Sequence, residues 1–173
     1  LTYTDQFVSE WMDALQGETF RENTATSQNF LTHAEDYGYL VLATHANLTD
    51  DSSLVQFRFW DESLFLDELN SLHLQADMVF LLACKTAVGK LYPGEGIVSL
   101  NNGFVRAGAS SIFTTLTEVK DFFTPELMEV FYAELAKGVT KDVALQKTKW
   151  AVIEKAGSSH PFLWSPYILY GDS

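Results

Sequence analysis

The chain has 173 residues, which corresponds to one domain by size and is long enough to bury a sizeable core. Hydrophobic residues make up 47% and charged residues 20%, as in ordinary soluble globular proteins, which argues against a disordered or fibrous chain. The net charge of −12 disfavours nucleic acid as a direct partner, because phosphate binding needs a basic face.

Targeting signals and disulfides are also disfavoured by the sequence. No apolar run approaches the roughly 20 residues that cross a membrane, and the first residues lack the basic and apolar pattern of a signal peptide. One cysteine permits no internal disulfide, which leaves a free thiol and fits a reducing cytoplasm. Because the chain does not begin with methionine, we expect it to be part of a longer protein.

The first half of the chain predicts short helices and strands in alternation. Apolar spacing predicts a helix at residues 5–15 and another at 27–35. Residues 37–44 (YGYLVLAT) form a buried-strand pattern that His45 follows directly. The next stretch predicts an excursion at the rim of the sheet, with a half-exposed strand at 54–60 and a helix at 61–69.

The second half repeats this alternation. Residues 78–83 are an unbroken apolar run, typical of a strand buried on both faces, and Cys84 follows it. Glycine and proline predict a loop from Cys84 to Gly96. The remaining predicted elements are a helix at 97–107, a third parallel strand at 110–116, helices at 124–137 and 141–156, and a short last strand at 167–170.

Strands that alternate with helices predict an α/β sandwich around a mostly parallel sheet. Ligands and reactive groups of such sheets collect at the carboxyl ends of the strands. His45 and Cys84 each follow a predicted strand, so the fold can bring an imidazole beside a thiol. Such a pair supports nucleophilic catalysis, because the imidazole removes the thiol proton and the thiolate attacks a carbonyl.

Six segments in order resemble the CHAT domain, a family of caspase-like cysteine peptidases related to separase and often joined to tetratricopeptide repeats. The similarity runs from about residue 15 to the C-terminus. The segments are ATHA around His45, LLACKTAVGK around Cys84, GEG at 94–96, FVRAGASSIFTTL at 104–116, LMEVFYAELAKG at 127–138 and HPFLWSPYILYGD at 160–172.

The resemblance implies a caspase-like three-layer sandwich with helices on both faces of the sheet. It implies that residues 1–173 are the catalytic portion of the domain and that further strands and helices precede it. Cys84 is then the nucleophile and His45 the general base, and the backbone N–H groups of Cys84 and Ala46 form the oxyanion hole. Ala46 stands where the family usually has glycine, Lys85 where it commonly has glutamate, and Thr117 where it typically has tryptophan.

The resemblance also implies where a substrate binds. In the caspase fold, the chain after the third strand pairs with an extended peptide, which assigns substrate binding to Thr115, Leu116, Thr117 and Glu118. Asp77, Glu118 and Asp121 are acids that can select a basic residue before the scissile bond. Asp77 is expected at the opposite, N-terminal end of its strand, which argues against it.

The predicted function is therefore a cysteine endopeptidase that cleaves a specific protein partner. The resemblance implies regulation within a larger bacterial assembly, with a defence or programmed-death role and a tetratricopeptide-repeat domain or partner. No cofactor or metal is expected, because one cysteine and scattered histidines are a poor start for a metal site. The alternatives are a catalytically weak pseudo-peptidase that acts as a protein-binding module and a small-molecule hydrolase that uses the same two residues.

Overall fold

The computed structural model describes residues 12, 16–48, 55–82, 90–92, 96–98, 100–117, 124–157 and 159–173. Most of the predicted helix at 5–15 lies outside these residues. The described strands are β1 (Tyr39–Leu42), β2 (His45–Leu48), β3 (Val55–Arg58), β4 (Ser63–Phe65), β5 (Met78–Leu81), β6 (Lys90–Tyr92), β7 (Gly96–Val98), β8 (Ser111–Thr115) and β9 (Tyr167–Gly171). The described helices are α1 (Ser27–His33), α2 (Leu66–Leu69), α3 (Leu100–Arg106), α4 (Thr124–Leu135) and α5 (Lys141–Ala156).

The central sheet has four strands in the order β1-β5-β8-β9. The first three are parallel, and β9 pairs with β8 in the antiparallel direction. All four residues of β5 and all five of β8 are buried, as their continuous apolar and β-branched composition predicts for inner strands. The predicted α/β class with a mostly parallel sheet is confirmed.

Two apolar layers cover the two faces of this sheet. On one face, Val79 and Ile112 pack with Phe104 of α3 in a cluster that also includes α1 and the strands β3 and β4. On the other face, Phe80 and Phe113 pack against Phe131 of α4, and α5 closes the same layer. The structure is therefore a three-layer sandwich, as in the caspase-like fold.

A three-stranded antiparallel sheet, β2-β3-β4, follows β1. The strand predicted at 54–60 is confirmed as β3, but the helix predicted at 61–69 is wrong over its first half. There Ser63–Phe65 forms β4 and pairs with β3, while the helical part is limited to Leu66–Leu69. Burial explains why a strand forms here, because Leu64 packs in the core beside Phe57 when Ser63–Phe65 is extended.

The predictions between the second and third parallel strands need a similar correction. The stretch predicted as a loop contains β6, and the start of the predicted helix at 97–107 is instead β7, which pairs with β6. The helix begins at Leu100. Ile97 and Val98 are β-branched and favour a strand over the first turn of a helix.

Side chains of the turn after β3 hold α1 in place. The Ser27 backbone N–H donates to Oδ1 of Asp61 at 2.8 Å, and the Ser27 hydroxyl lies 3.1 Å from Oδ2 of Asp61 and 3.1 Å from Oε1 of Glu62. Loss of hydration opposes ionisation of Asp61, but hydrogen bonds from Ser27 and from the Glu62 backbone outweigh it and lower the pKa of the Asp61 carboxyl. This contact fixes the antiparallel sheet against the helix layer.

Gly108 allows the chain to pass from α3 into β8. Its φ of +113° lies in a region that L-residues rarely adopt, and an added Cβ would meet the Leu74 carbonyl oxygen at 2.3 Å. The Leu74 N–H donates to the Ala107 carbonyl at 2.6 Å beside it, which joins the segment before β5 to the segment before β8.

We expect the substitution Gly108→Ala to lower the free energy of unfolding by roughly 1–3 kcal/mol, because it adds both backbone strain and a clash with Leu74. Urea unfolding followed by circular dichroism measures this change. Gly138→Ala is the matched control: its φ is +78°, but an added Cβ meets nothing within 4 Å. Equal losses in the two variants would show that the contact with Leu74 is unimportant.

The substitution Asp61→Ala should destabilise the protein in a pH-dependent way. A carboxyl whose pKa is lowered on folding contributes stability above its unfolded value of about 3.9, and this contribution is lost as pH falls through the lower folded value. The difference in melting temperature between wild type and Asp61→Ala should therefore be largest near neutral pH and should become smaller under acid conditions. Asp67→Ala, at an exposed position of α2, serves as the control, and a gap independent of pH would contradict the prediction.

Candidate active site

The strands β1 and β5 end side by side at the carboxyl edge of the sheet. Leu42 pairs with Leu81, and the Leu82 N–H donates to the Leu42 carbonyl at 3.0 Å. His45 comes three residues after Leu42, and Cys84 comes two residues after Leu82. The chain segments that carry the predicted base and nucleophile thus leave the sheet from adjacent positions, although Cys84 itself lies outside the described residues.

His45 opens the strand β2 instead of following β1 directly. Ala43 and Thr44 separate the two strands, and the Thr44 hydroxyl donates to the Arg58 carbonyl oxygen across the turn. In the antiparallel ladder His45 is opposite Arg58, and Ala46 is opposite Phe57. The predicted base therefore sits where the main sheet passes into the antiparallel sheet.

The predicted substrate-binding residues at the end of β8 reach the same edge. Thr115 is buried and pairs with Tyr167 of β9, and the Leu116 N–H donates to the Pro166 carbonyl at 2.8 Å. The side chains of Leu116 and Thr117 are exposed. Thr117 is the first described position beyond the pairing with β9. The other two predicted substrate-binding residues, Glu118 and Asp121, lie outside the described residues.

Asp77 is held at the opposite end of the sheet, as its place before β5 predicts. Lys141 of α5 donates to Oδ1 of Asp77 at 2.8 Å and to the Ser111 hydroxyl at 2.7 Å. The Tyr39 hydroxyl lies 3.3 Å from Oδ2 of the same carboxylate. These contacts join three strands to α5 at the N-terminal edge, so Asp77 has a structural role far from the carboxyl edge.

The histidines other than His45 have local partners. His33 stacks on Phe20 with ring centroids 5.3 Å apart, and Nδ1 of His73 lies 3.9 Å from Oε1 of Glu35. Nδ1 of His160 accepts a hydrogen bond from the Phe162 N–H at 3.3 Å. Within the described ranges, no group of three or more His, Cys, Asp or Glu side chains is arranged to hold a metal ion.

A cavity of about 330 Å³ formed by residues of β3, of β4 and of the turn between them was not predicted. Its lining residues are Gln56, Arg58, Phe59, Trp60, Asp61, Glu62 and Ser63. The alternation in LVQFRFW does predict that Gln56 and Arg58 share a polar face. The sequence does not show the register between β2 and β3 that places Arg58 opposite His45.

The helices in the described part of the chain give no sign of a membrane span, since none is both long and apolar enough for one.

The chain matches known proteins over most of its length. Tetratricopeptide repeat protein 28 of Mus musculus is 27% identical over 104 residues, which cover 60% of this chain and 4% of that protein. The protein of the same name from Homo sapiens is 26% identical over 100 residues, covering 58% of this chain and again 4% of the relative. The chain therefore spans only a small part of these relatives. A family model of the CHAT domain matches residues 6–172. On this match, together with the three-layer fold, the chain belongs to the CHAT domain family.

Proposed function

We propose that this chain is the catalytic part of a cysteine endopeptidase that uses Cys84 and His45. The observation that supports the proposal is that β1 and β5 end side by side, joined by the Leu82–Leu42 hydrogen bond. His45 and Cys84 each follow within three residues of this bond along the chain. In a member of the CHAT family, this is the arrangement that a thiol–imidazole pair needs.

The chemistry follows from the two groups. His45 takes the proton of the Cys84 thiol, and the thiolate sulfur attacks the carbonyl carbon of a peptide bond. His45 then gives the proton to the leaving amine nitrogen as the C–N bond breaks. Water attacks the resulting thioester, releases the new carboxylate and restores the thiol. The N–H groups of Cys84 and Ala46 are the proposed donors to the oxyanion.

Ala46 is compatible with this role although the family usually has glycine at the position. It lies within the regular strand β2, and it is not among the non-glycine residues with positive φ. An extended backbone suits alanine, so the substitution of glycine adds no backbone strain.

A protein substrate would bind in an extended form beside the end of β8. Because β9 already pairs with Thr115 and the Leu116 N–H is occupied, strand addition on that side begins at Thr117 and continues to Glu118, with Asp121 nearby in the chain. Thr115 and Leu116 would then support the binding strand and shape its start.

The proposed setting is a larger assembly in the bacterial cytoplasm, of the defence or programmed-death type. A nucleophilic thiol is preserved in a reducing compartment. The relatives of this chain are named as tetratricopeptide repeat proteins. We therefore include a tetratricopeptide-repeat domain or partner as the regulator of access to the site.

A non-enzymatic protein-binding module is the second candidate. It is favoured by Ala46 and Thr117, two departures from the residues usual in the family. It requires that Cys84→Ala leave both partner binding and biological output intact, whereas the peptidase requires that output be lost with binding retained.

We expect iodoacetamide to alkylate Cys84 with a pH profile that shows a depressed thiol pKa. His45→Ala should slow the reaction about tenfold or more near pH 7, because an unpaired thiol of pKa about 8.5 is mostly protonated there. The rate is measured by intact mass from about pH 5 to pH 9, and labelling is unambiguous because the chain has one cysteine. His73→Ala, at an exposed position, is the matched control and should leave the rate unchanged. Slow labelling that ignores His45 would contradict the proposal and favour the binding module.

A further inference from the structure

The side chain of Asn101, in the first turn of α3, carries a buried amide oxygen that has no hydrogen-bond partner. Asn101 is only 3% exposed, and among the residues that the structure describes its Oδ1 is the buried side-chain atom left without a donor. Buried polar groups are nearly always paired, because a buried acceptor without a donor loses its hydration and gains nothing in return. Such an atom is expected where the fold holds an acceptor ready for a donor from another part of the molecule.

The helix α3 runs from the carboxyl edge of the central sheet toward the opposite edge. At its far end, the Leu74 N–H donates to the Ala107 carbonyl at 2.6 Å. The Ser110 N–H likewise donates to the Ala76 carbonyl at 2.9 Å. Leu74 and Ala76 come just before β5, so this end of α3 lies at the edge where the parallel strands begin. A helix that connects two parallel neighbours returns antiparallel to them, which places Asn101 toward the edge where β5 ends.

The side of α3 that carries Asn101 packs toward the sheet. Phe104 comes one turn later on the same side of the helix and is fully buried. Its ring contacts Phe57 edge-on, with centroids 5.6 Å apart, and lies in the apolar layer that includes Val79 and Ile112. Asn101 therefore places an amide oxygen at the carboxyl-edge end of this apolar layer.

The chain that leaves β5 brings backbone donors to the same edge. The N–H of Leu82 is already used, because it donates to the Leu42 carbonyl. The residues that follow lead to Cys84, and the helix that crosses back over β5 is α3. The neighbouring amide of Asn102 has a partner of its own, since its Oδ1 accepts the Tyr170 hydroxyl at 2.9 Å. Asn101 is thus the amide of this pair that is left to accept from the turn after β5.

We propose that Asn101 is a positioning residue of the candidate site, whose Oδ1 accepts a backbone N–H of the turn that carries Cys84. The bond holds the Cys84 thiol within reach of His45, so that the imidazole can take the thiol proton. Asn101 itself touches no substrate atom and transfers no proton. A neutral amide suits this task, because it accepts a hydrogen bond without adding a negative charge, which would raise the pKa of a nearby thiol. The inference rests on the proposed peptidase function.

The test measures the alkylation of Cys84 by iodoacetamide from about pH 5 to pH 9 in wild type and in Asn101→Leu. Leucine has the branched shape of asparagine without its hydrogen-bonding atoms. We expect the rate near pH 7 to fall about fivefold, the factor that one neutral hydrogen bond contributes, and the pH profile to move toward that of a free thiol. Asn101→Ser keeps a shorter acceptor and should retain part of the wild-type rate. Asn102→Ala, one residue along the helix, is the matched control and should leave the profile unchanged.

The pH profile and the melting temperature together separate positioning from a purely structural role. If Oδ1 of Asn101 has no donor in the working protein, Asn101→Leu should raise the melting temperature, because it removes an unpaired polar group from an apolar layer. The pH profile should then stay that of wild type. An unchanged profile overturns the inference whatever the melting temperature does. If Asn101→Leu does not fold, Asn101→Ala, which adds no bulk, replaces it in the same comparison.

This inference and the proposed function can fail separately. If alkylation of wild type depends on His45 and Asn101→Leu keeps the wild-type profile, Asn101 has no positioning role and the peptidase stands. If alkylation of wild type ignores His45, the peptidase is wrong, and the positioning role that rests on it is rejected with it.

Discussion

The parallel pairing of β1 with β5 is the contact on which the candidate site depends. Every residue of β5 is fully buried, and the register holds at four successive positions from Tyr39–Met78 to Leu42–Leu81. Burying a large apolar side chain contributes about 1.5–3 kcal/mol, so β5 alone anchors the sheet strongly between its two layers. Because parallel neighbours end at the same edge, the segments that follow them must start close together, whatever their own sequences favour.

The antiparallel sheet adds a second constraint, which is orientation. Phe57 contacts Phe104 of α3 edge-on, with ring centroids 5.6 Å apart, and Leu64 joins the same cluster. A slip of one residue in β3 would expose Phe57 and bury Arg58, at a large cost in free energy. The hydrophobic core therefore determines which positions of β3 face the cavity, and the Asp61–Ser27 contact holds the end of this sheet against α1.

The sequence predicts best those elements whose burial can be inferred from composition alone. The strands β1 and β5 are short apolar runs, and β8 is rich in β-branched residues with an apolar centre; the glycines after α3, α4 and α5 mark where helices end, each with positive φ. In contrast, DESLFLDEL contains three leucines and two glutamates, which favour a helix, and only packing beside Phe57 shows that Ser63–Phe65 is a strand. Pairing across strands is a tertiary property, so the position of Arg58 opposite His45 cannot be inferred from its sequence neighbours.

The candidate site also has features that the sequence predicts and features that it does not. The order of strand, histidine, strand and cysteine predicts that the segments bearing His45 and Cys84 meet, and the paired ends of β1 and β5 support this. The pairing of Leu116 with Pro166 could not be predicted, because the direction of β9 follows from its packing on β8 and not from its four apolar residues. This pairing limits the positions at which an extended peptide can pair with the chain that follows β8.

The net charge of −12 is a poor guide to the ligand of this site. At physiological salt, exposed charges more than about 8 Å apart are largely screened, so the acidic surface mainly affects solubility and approach. Contact decides selectivity, and there the relevant quantity is the hydrogen-bonding capacity that the fold has not used. Asp61 and Glu62 line the cavity together with Arg58, so charges of both signs are present there, and Ser27 contacts both carboxylates. The local arrangement of these three charged groups, and not the net charge, therefore decides which ligand the cavity accepts.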